Sequence, residues 1–159
     1  MDRHDLTLLI GSLAICLMAA VLGTLPIALN DGIAWQDTLS KPSFAPPHWL
    51  YGPAWTLLFL LMAVALYLIW KQWPARYARI GVGIFGIQIT LNVLWNYVFF
   101  GGHLIFFGLV EITVLLLAII ATIAAFYRVD VRAAVLMVPY LLWVCFATVL
   151  NAGIWLLNR

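Results

Sequence analysis

Five apolar runs, each long enough to cross a lipid bilayer, constrain this chain more than any other feature. They cover about residues 6–29, 49–70, 80–100, 104–127 and 133–157. A helix needs roughly 18 or more consecutive apolar residues to span the hydrocarbon core, more than a buried helix of a soluble domain requires. Composition agrees with a membrane setting. Of 159 residues, 66% are hydrophobic and only 9% charged, too little charge to keep a domain of this size dissolved. A transmembrane barrel would show ~10-residue segments of alternating polarity, and none are visible. The expected fold is all-α: a single membrane domain, residues 1–159, built as a five-transmembrane-helix bundle.

Connections between the runs are short, "GGH" and "RVDVR" among them, except for one long loop at residues 30–48. The first run follows Arg3 and could be mistaken for a signal peptide. It is longer than a 7–15-residue signal core and four more runs follow, so it reads as a retained helix. Five spans put the termini on opposite sides. One side collects Arg3, Lys71, Arg76, Arg79, Arg128 and Arg132, and the other only Lys41 and Arg159. The positive-inside rule then places the amino terminus in the cytoplasm and the long loop outside. The expected location is the inner membrane of a bacterium.

Several function classes are disfavoured. The net charge of +2 comes without a basic run, so no nucleic-acid partner is expected. His4, His48 and His103 sit at span edges without metal-ligand spacing, so no metal site is expected. Cys16 and Cys145 lie inside apolar runs, where a thiol behaves as a small hydrophobe, and no disulfide is expected. Ser and Thr residues lack a base partner, which leaves no support for a conventional hydrolytic enzyme.

Polar side chains inside spans are costly unless they face protein, water or a guest, so they mark the places to look for a site. Gln88, Asn92 and Asn96 follow i, i+4, i+8 spacing and stack on one face of the third span, beside Trp95. Tyr140, Trp143, Ala147 and Asn151 do the same on the fifth, where Pro139 is expected to kink the helix. Each stripe reads equally as interhelical glue or as the wall of a cavity. Glu111 is the one acid well inside a span, readable as a proton carrier or as a shallow, solvated group. Small residues at 81–86, "GVGIFG", and at Ala19, Ala20, Gly23 and Thr24 permit close helix approach, within the chain or between two copies.

Three long motifs carry a resemblance: "WQDTLSKPSFAPPHWLYGPAW" (35–55), "QITLNVLWNYVFFG" (88–101) and "VPYLLWVCFATVLNAGIW" (138–155). With the five spans, the chain length and eight tryptophans, the chain resembles the translocator protein family, also called tryptophan-rich sensory proteins or peripheral-type benzodiazepine receptors. The resemblance implies a homodimeric membrane protein that binds porphyrins, protoporphyrin IX or haem, as ligand rather than as obligatory cofactor. It also brings in membrane lipid, sterols and synthetic isoquinoline-carboxamide or benzodiazepine-type compounds as partners. Carried over, the ligand-binding residues are Trp55 and Trp143 with Asn92, Trp95, Asn96, Ala147 and Leu150, to which the stripe on the fifth span adds Tyr140.

For some bacterial members the resemblance implies light-dependent breakdown of protoporphyrin. Trp55 and Trp143 are the candidates for that chemistry, since indole is readily oxidised by an excited porphyrin or singlet oxygen. A second functional reading is a small transporter or exporter of tetrapyrroles or lipids. Two departures stand out. Phe44 replaces a second loop tryptophan, and Ala152 replaces the tyrosine of the cholesterol-recognition pattern, a weak pattern that "VALYLIWK" (64–71) satisfies by chance. The pattern therefore carries no claim of a sterol ligand, and sterols stay a partner that only the resemblance implies.

The loop supplies the cover. Trp35, Pro42, Phe44, Pro46, Pro47, His48 and Trp49 match its signature, and the prolines are expected to keep residues 41–47 extended and stiff over the bundle mouth. Trp49 is expected at the rim, and Trp55, nearly two turns on, towards the cavity.

Overall fold

The computed structural model describes residues 3–159; residues 1 and 2 of the expected domain lie outside them. Among the described residues six α-helices run α1 (Arg3–Leu29), α2 (Gly32–Thr38), α3 (His48–Trp70), α4 (Arg76–Asn96), α5 (Ile105–Tyr127) and α6 (Val131–Leu157). Five segments, α1, α3, α4 with its continuation to Gly101, α5 and α6, are long and apolar enough to span a membrane, at 23 to 27 residues each. At about 1.5 Å per residue the shortest reaches about 35 Å, more than a hydrocarbon core of about 30 Å. Outward faces are as greasy as inward ones. Leu117 (62% exposed), Val135 (60%) and Val149 (60%) are exposed without lining any hollow, as a lipid-facing surface requires.

The spans pack as a closed ring in the order α1, α3, α6, α5, α4 and back to α1. One end is tightly filled. Met62, Ala63, Ala65, Leu66 and Ile69 of α3 meet Phe85, Ile119, Phe126, Ala133 and Met137, all nearly inaccessible. Gly81 makes this possible between α4 and α5, because a Cβ there would come 3.2 Å from the Phe126 ring. Lys71 ties α3 to α1 at this end through Asp5, at 2.9 Å. Asp130 starts α6 by accepting the Arg132 backbone N–H at 2.8 Å.

The other end departs from the expected boundaries in three ways. The long loop is not structureless, since α2 occupies its first half. Asp31 turns the chain into it with φ 48, a left-handed conformation that Asp and Asn tolerate better than most residues. Residues 41–47 are not uniformly extended either, because Ala45 N–H donates to the Pro42 carbonyl at 3.0 Å and closes a turn. Third, α4 widens into a π-helical turn, Tyr97–Gly101, which directs both Phe99 and Phe100 inward. Pro139 lies within α6, and the helix is continuous through it to Leu157.

Candidate functional site

Inside the ring, at the end covered by α2, lies a cavity of about 840 Å³ to which every helix contributes. Small residues of α1 open it. Ala20, Gly23 and Thr24 face inward, and a Cβ on Gly23 would come 3.2 Å from the Asn96 amide nitrogen. Thus the small face of α1 serves packing and space within the chain. Gly83 and Gly86 of α4 face no other part of it.

Aromatic rings form the opposite wall. Trp55 meets Trp143 at 6.5 Å and 82°, and Tyr140 at 6.2 Å and 63°, edge-to-face arrangements that favour a fixed wall. Phe59 lies 5.7 Å from Trp55, and Tyr51 stands 6.1 Å from Trp143. Trp95 stacks on Phe99 at 4.8 Å, while its indole N–H donates to the Gly108 carbonyl at 3.1 Å. That donor is committed to α5, so Trp95 offers a guest its ring rather than a hydrogen bond.

The amide stripe of α4 divides. Gln88 is fully buried in the packed end, 4.0 Å from the Met62 sulfur. Asn92 lines the cavity and donates to the Tyr140 hydroxyl at 2.9 Å. Asn96 also lines it and donates to the Asn92 carbonyl at 3.1 Å. Gln88 is glue, Asn92 is glue and wall together, and Asn96, bonded within its own helix, is wall.

Trp55, Asn92, Trp95, Asn96, Trp143, Ala147 and Leu150 are thus brought together on one cavity surface. Tyr140 is the exception among the residues expected there. It is fully buried behind the wall, holding Asn92 by its hydroxyl and backing Trp55 with its ring. Glu111 is buried off the cavity surface, with no hydrogen-bond partner on either carboxylate oxygen.

The cover is arranged differently from its signature. Ile33 and Gln36 of α2, together with His48, reach the cavity. None of the loop's prolines does. Trp35 plugs the end from outside, stacked on His103 at 4.2 Å and edge-on to Phe99 at 5.3 Å. Pro42 sits on Gly153 of α6, and Phe44 meets Phe146 at 6.2 Å. Pro46 borders an apolar groove of about 510 Å³ on the outer face between α3 and α6, whose other wall includes the far side of Trp143. Pro47 precedes α3 as its cap residue, and Trp49 is 72% exposed at the rim.

Asp37 organises this cover electrostatically. Its carboxylate accepts from the Lys41 ammonium at 2.8 Å and contacts the His48 ring nitrogen at 2.9 Å. The Lys41 hydrogen bond, and then that of His48, hold the Asp37 carboxyl below its ordinary range. Neither Asp37 nor Gln36 stands out in the sequence as a site residue. The signal for Asp37 is an acidic residue four positions before Lys41, the one lysine of the loop.

The match to known proteins decides what kind of chain surrounds such a cavity. Residues 12–156 match the TspO/MBR family. The chain belongs to the TspO/MBR family. It is 39% identical to the tryptophan-rich protein TspO of Chlorobaculum tepidum, over 99% of both chains. It is also 39% identical to the protein of that name from Archaeoglobus fulgidus, over 89% of this chain and 96% of the relative. Human translocator protein is 38% identical over 79% of this chain and 76% of its own length. This TspO/MBR chain is accordingly a multi-pass membrane protein.

Proposed function

We propose that the protein is a membrane tetrapyrrole-binding sensor or regulator that takes a porphyrin, protoporphyrin IX foremost, into the cavity beneath α2. The observation that carries this reading is the pairing of Trp55 and Trp143 on one wall of a hollow about 840 Å³ in volume, with Asn92 and Asn96 beside them. Cavities of about 300–1,000 Å³ suit compact organic guests that bury most of their surface. A porphyrin offers a wide flat π-face for the indoles and a polar edge for the amides and His48. Trp55 and Trp143 are also oxidisable neighbours for light-excited porphyrin with dioxygen as oxidant, which makes slow photodegradation a secondary activity of the same site.

Ala147 and Leu150 add apolar surface beside the two indoles. Ala152 does not supply the tyrosine of the sterol-recognition pattern, so sterol is not among the proposed ligands. A transport pathway through Glu111 has less behind it, since that side chain stands off the cavity wall. An inner-membrane location with the amino terminus in the cytoplasm and a homodimeric assembly complete the reading.

Titrating protoporphyrin IX in the dark while following tryptophan fluorescence tests it. Saturable quenching is expected, weakened about tenfold or more when Trp55→Phe and Trp143→Phe are combined, since both indole faces are then lost. Quenching that is unchanged in the double variant would remove these rings from the site.

A further inference from the structure

The chain between α2 and α3 is held down by residues that do not themselves line the cavity. Ser40 N–H donates to Oδ1 of Asn158 at 3.0 Å, and Nδ2 of Asn158 donates back to the Ser40 carbonyl at 2.8 Å. One side-chain amide thus satisfies both backbone groups of a strap residue 118 positions away in sequence, as a strand partner would. The same Nδ2 donates to the Ile154 carbonyl at 2.7 Å, which orients the amide from the end of α6.

Two residues further along the strap, Pro42 seats in a notch over Gly153. A Cβ at that position would lie 2.5 Å from Pro42 Cγ, too close for any side chain to share the space. Gly153 is helical, so its lack of a side chain serves this approach and not an unusual backbone angle. Neither Asn158 nor Gly153 lines the cavity, whereas Ile154, between them in the same helix, does.

We propose that Asn158 and Gly153 are positioning residues that latch the strap over the cavity mouth and so set how fast a planar guest escapes. The escape rate rests on the porphyrin reading above; the latch itself does not. Holding the strap at Ser40 and Pro42 fixes the segment immediately after Ile33 and Gln36, the residues that α2 lowers over the guest. Release at α6 leaves the cavity wall untouched and frees only its cover, so the effect falls on dissociation more than on intrinsic complementarity.

The test uses the full chain in lipid nanodiscs and reads amide hydrogen exchange over residues 37–47, with protoporphyrin IX dissociation measured by dark chase. Asn158→Gly keeps a residue suited to a helix end but removes both arms of the clasp. Strap exchange and porphyrin exit should each rise about tenfold, as the loss of two modest hydrogen bonds implies. Asn158→Asp keeps the acceptor and loses the donor, and should fall between. Gly153→Ala improves α6 as a helix yet unseats Pro42, so the latch predicts faster strap exchange with α6 at least as protected as before.

Unchanged strap exchange in both Asn158→Gly and Gly153→Ala would overturn the proposal. So would acceleration that appears only together with loosening of α6, since Asn158 would then be acting as a helix cap alone. If protoporphyrin fails to bind the wild-type protein, the porphyrin reading falls while exchange still decides the latch.

Discussion

The two ends of this helix ring use the same residue types for opposite purposes. At the filled end, Ala63, Ala65, Ala78 and Ala133 are small because neighbouring helices press against them, and none is accessible. At the hollow end, Ala20 and Ala147 line open volume instead. Aromatic residues divide in the same way. Phe85 and Phe126 stack at 6.0 Å and 10° within solid packing, whereas Trp55 and Trp143 stand edge to face around open volume. A helix bundle in lipid gains little from hiding apolar surface, so close packing holds it together. Concentrating that packing at one end lets the other remain hollow.

The sharpest way to break this contrast is to enlarge an alanine at each end. Ala63→Leu should destabilise the protein by about 1–3 kcal/mol, because a fully packed site has nowhere to put the added carbons. Ala147→Leu should leave thermal stability within about 0.5 kcal/mol, since the side chain grows into the cavity. Equal losses at both positions, read by thermal unfolding in one detergent, would erase the distinction between the ends.

Glycines of α4 give a smaller version of the same comparison. Gly81→Ala must displace the Phe126 ring and should destabilise, while Gly83→Ala meets nothing within 4 Å and should stabilise α4 by up to about 1 kcal/mol through helix propensity. Opposite signs are expected in unfolding experiments, and matching signs would contradict the packing described for α4 and α5.

The smallest effect concerns the cover. Asp37 is held below its ordinary range, so its contribution to strap closure is complete above the pH where an unfolded-state aspartate titrates, about 4. That contribution is lost as pH falls through the lowered folded-state value. Hydrogen exchange of residues 36–47 should therefore loosen on acidification below about pH 4 in wild type and much less in Asp37→Asn.

Much of this architecture was legible in the sequence, because crossing a bilayer imposes a length and a polarity that residue types display directly. The five spans and the placement of Trp49 at the rim follow from run lengths and helical spacing, whereas the Trp55 and Trp143 pair was implied by the family resemblance of the motifs that hold it. The helix α2 did not, since seven residues opened by a left-handed Asp31 carry too little periodicity to register. The role of Tyr140 was also hidden. Spacing places it on the same stripe as Trp143, but only tertiary packing shows that its hydroxyl is taken up by Asn92 across the ring. The loop prolines were expected to keep residues 41–47 extended, but a turn closes at Ala45, and Pro42 and Pro46 make contacts with Gly153 of α6 and with the groove between α3 and α6 that no local pattern reports.

The central claim is that the hollow end holds the guest, and an absorbance titration of protoporphyrin IX in the dark tests it most directly. Wild-type protein should give a saturable change in the porphyrin band, and Ala147→Leu, still folded, should weaken that binding about tenfold by filling part of the hollow. Equal saturable binding by the wild-type and Ala147→Leu proteins would place the porphyrin elsewhere, and a change that never saturates in wild type would contradict a binding site altogether.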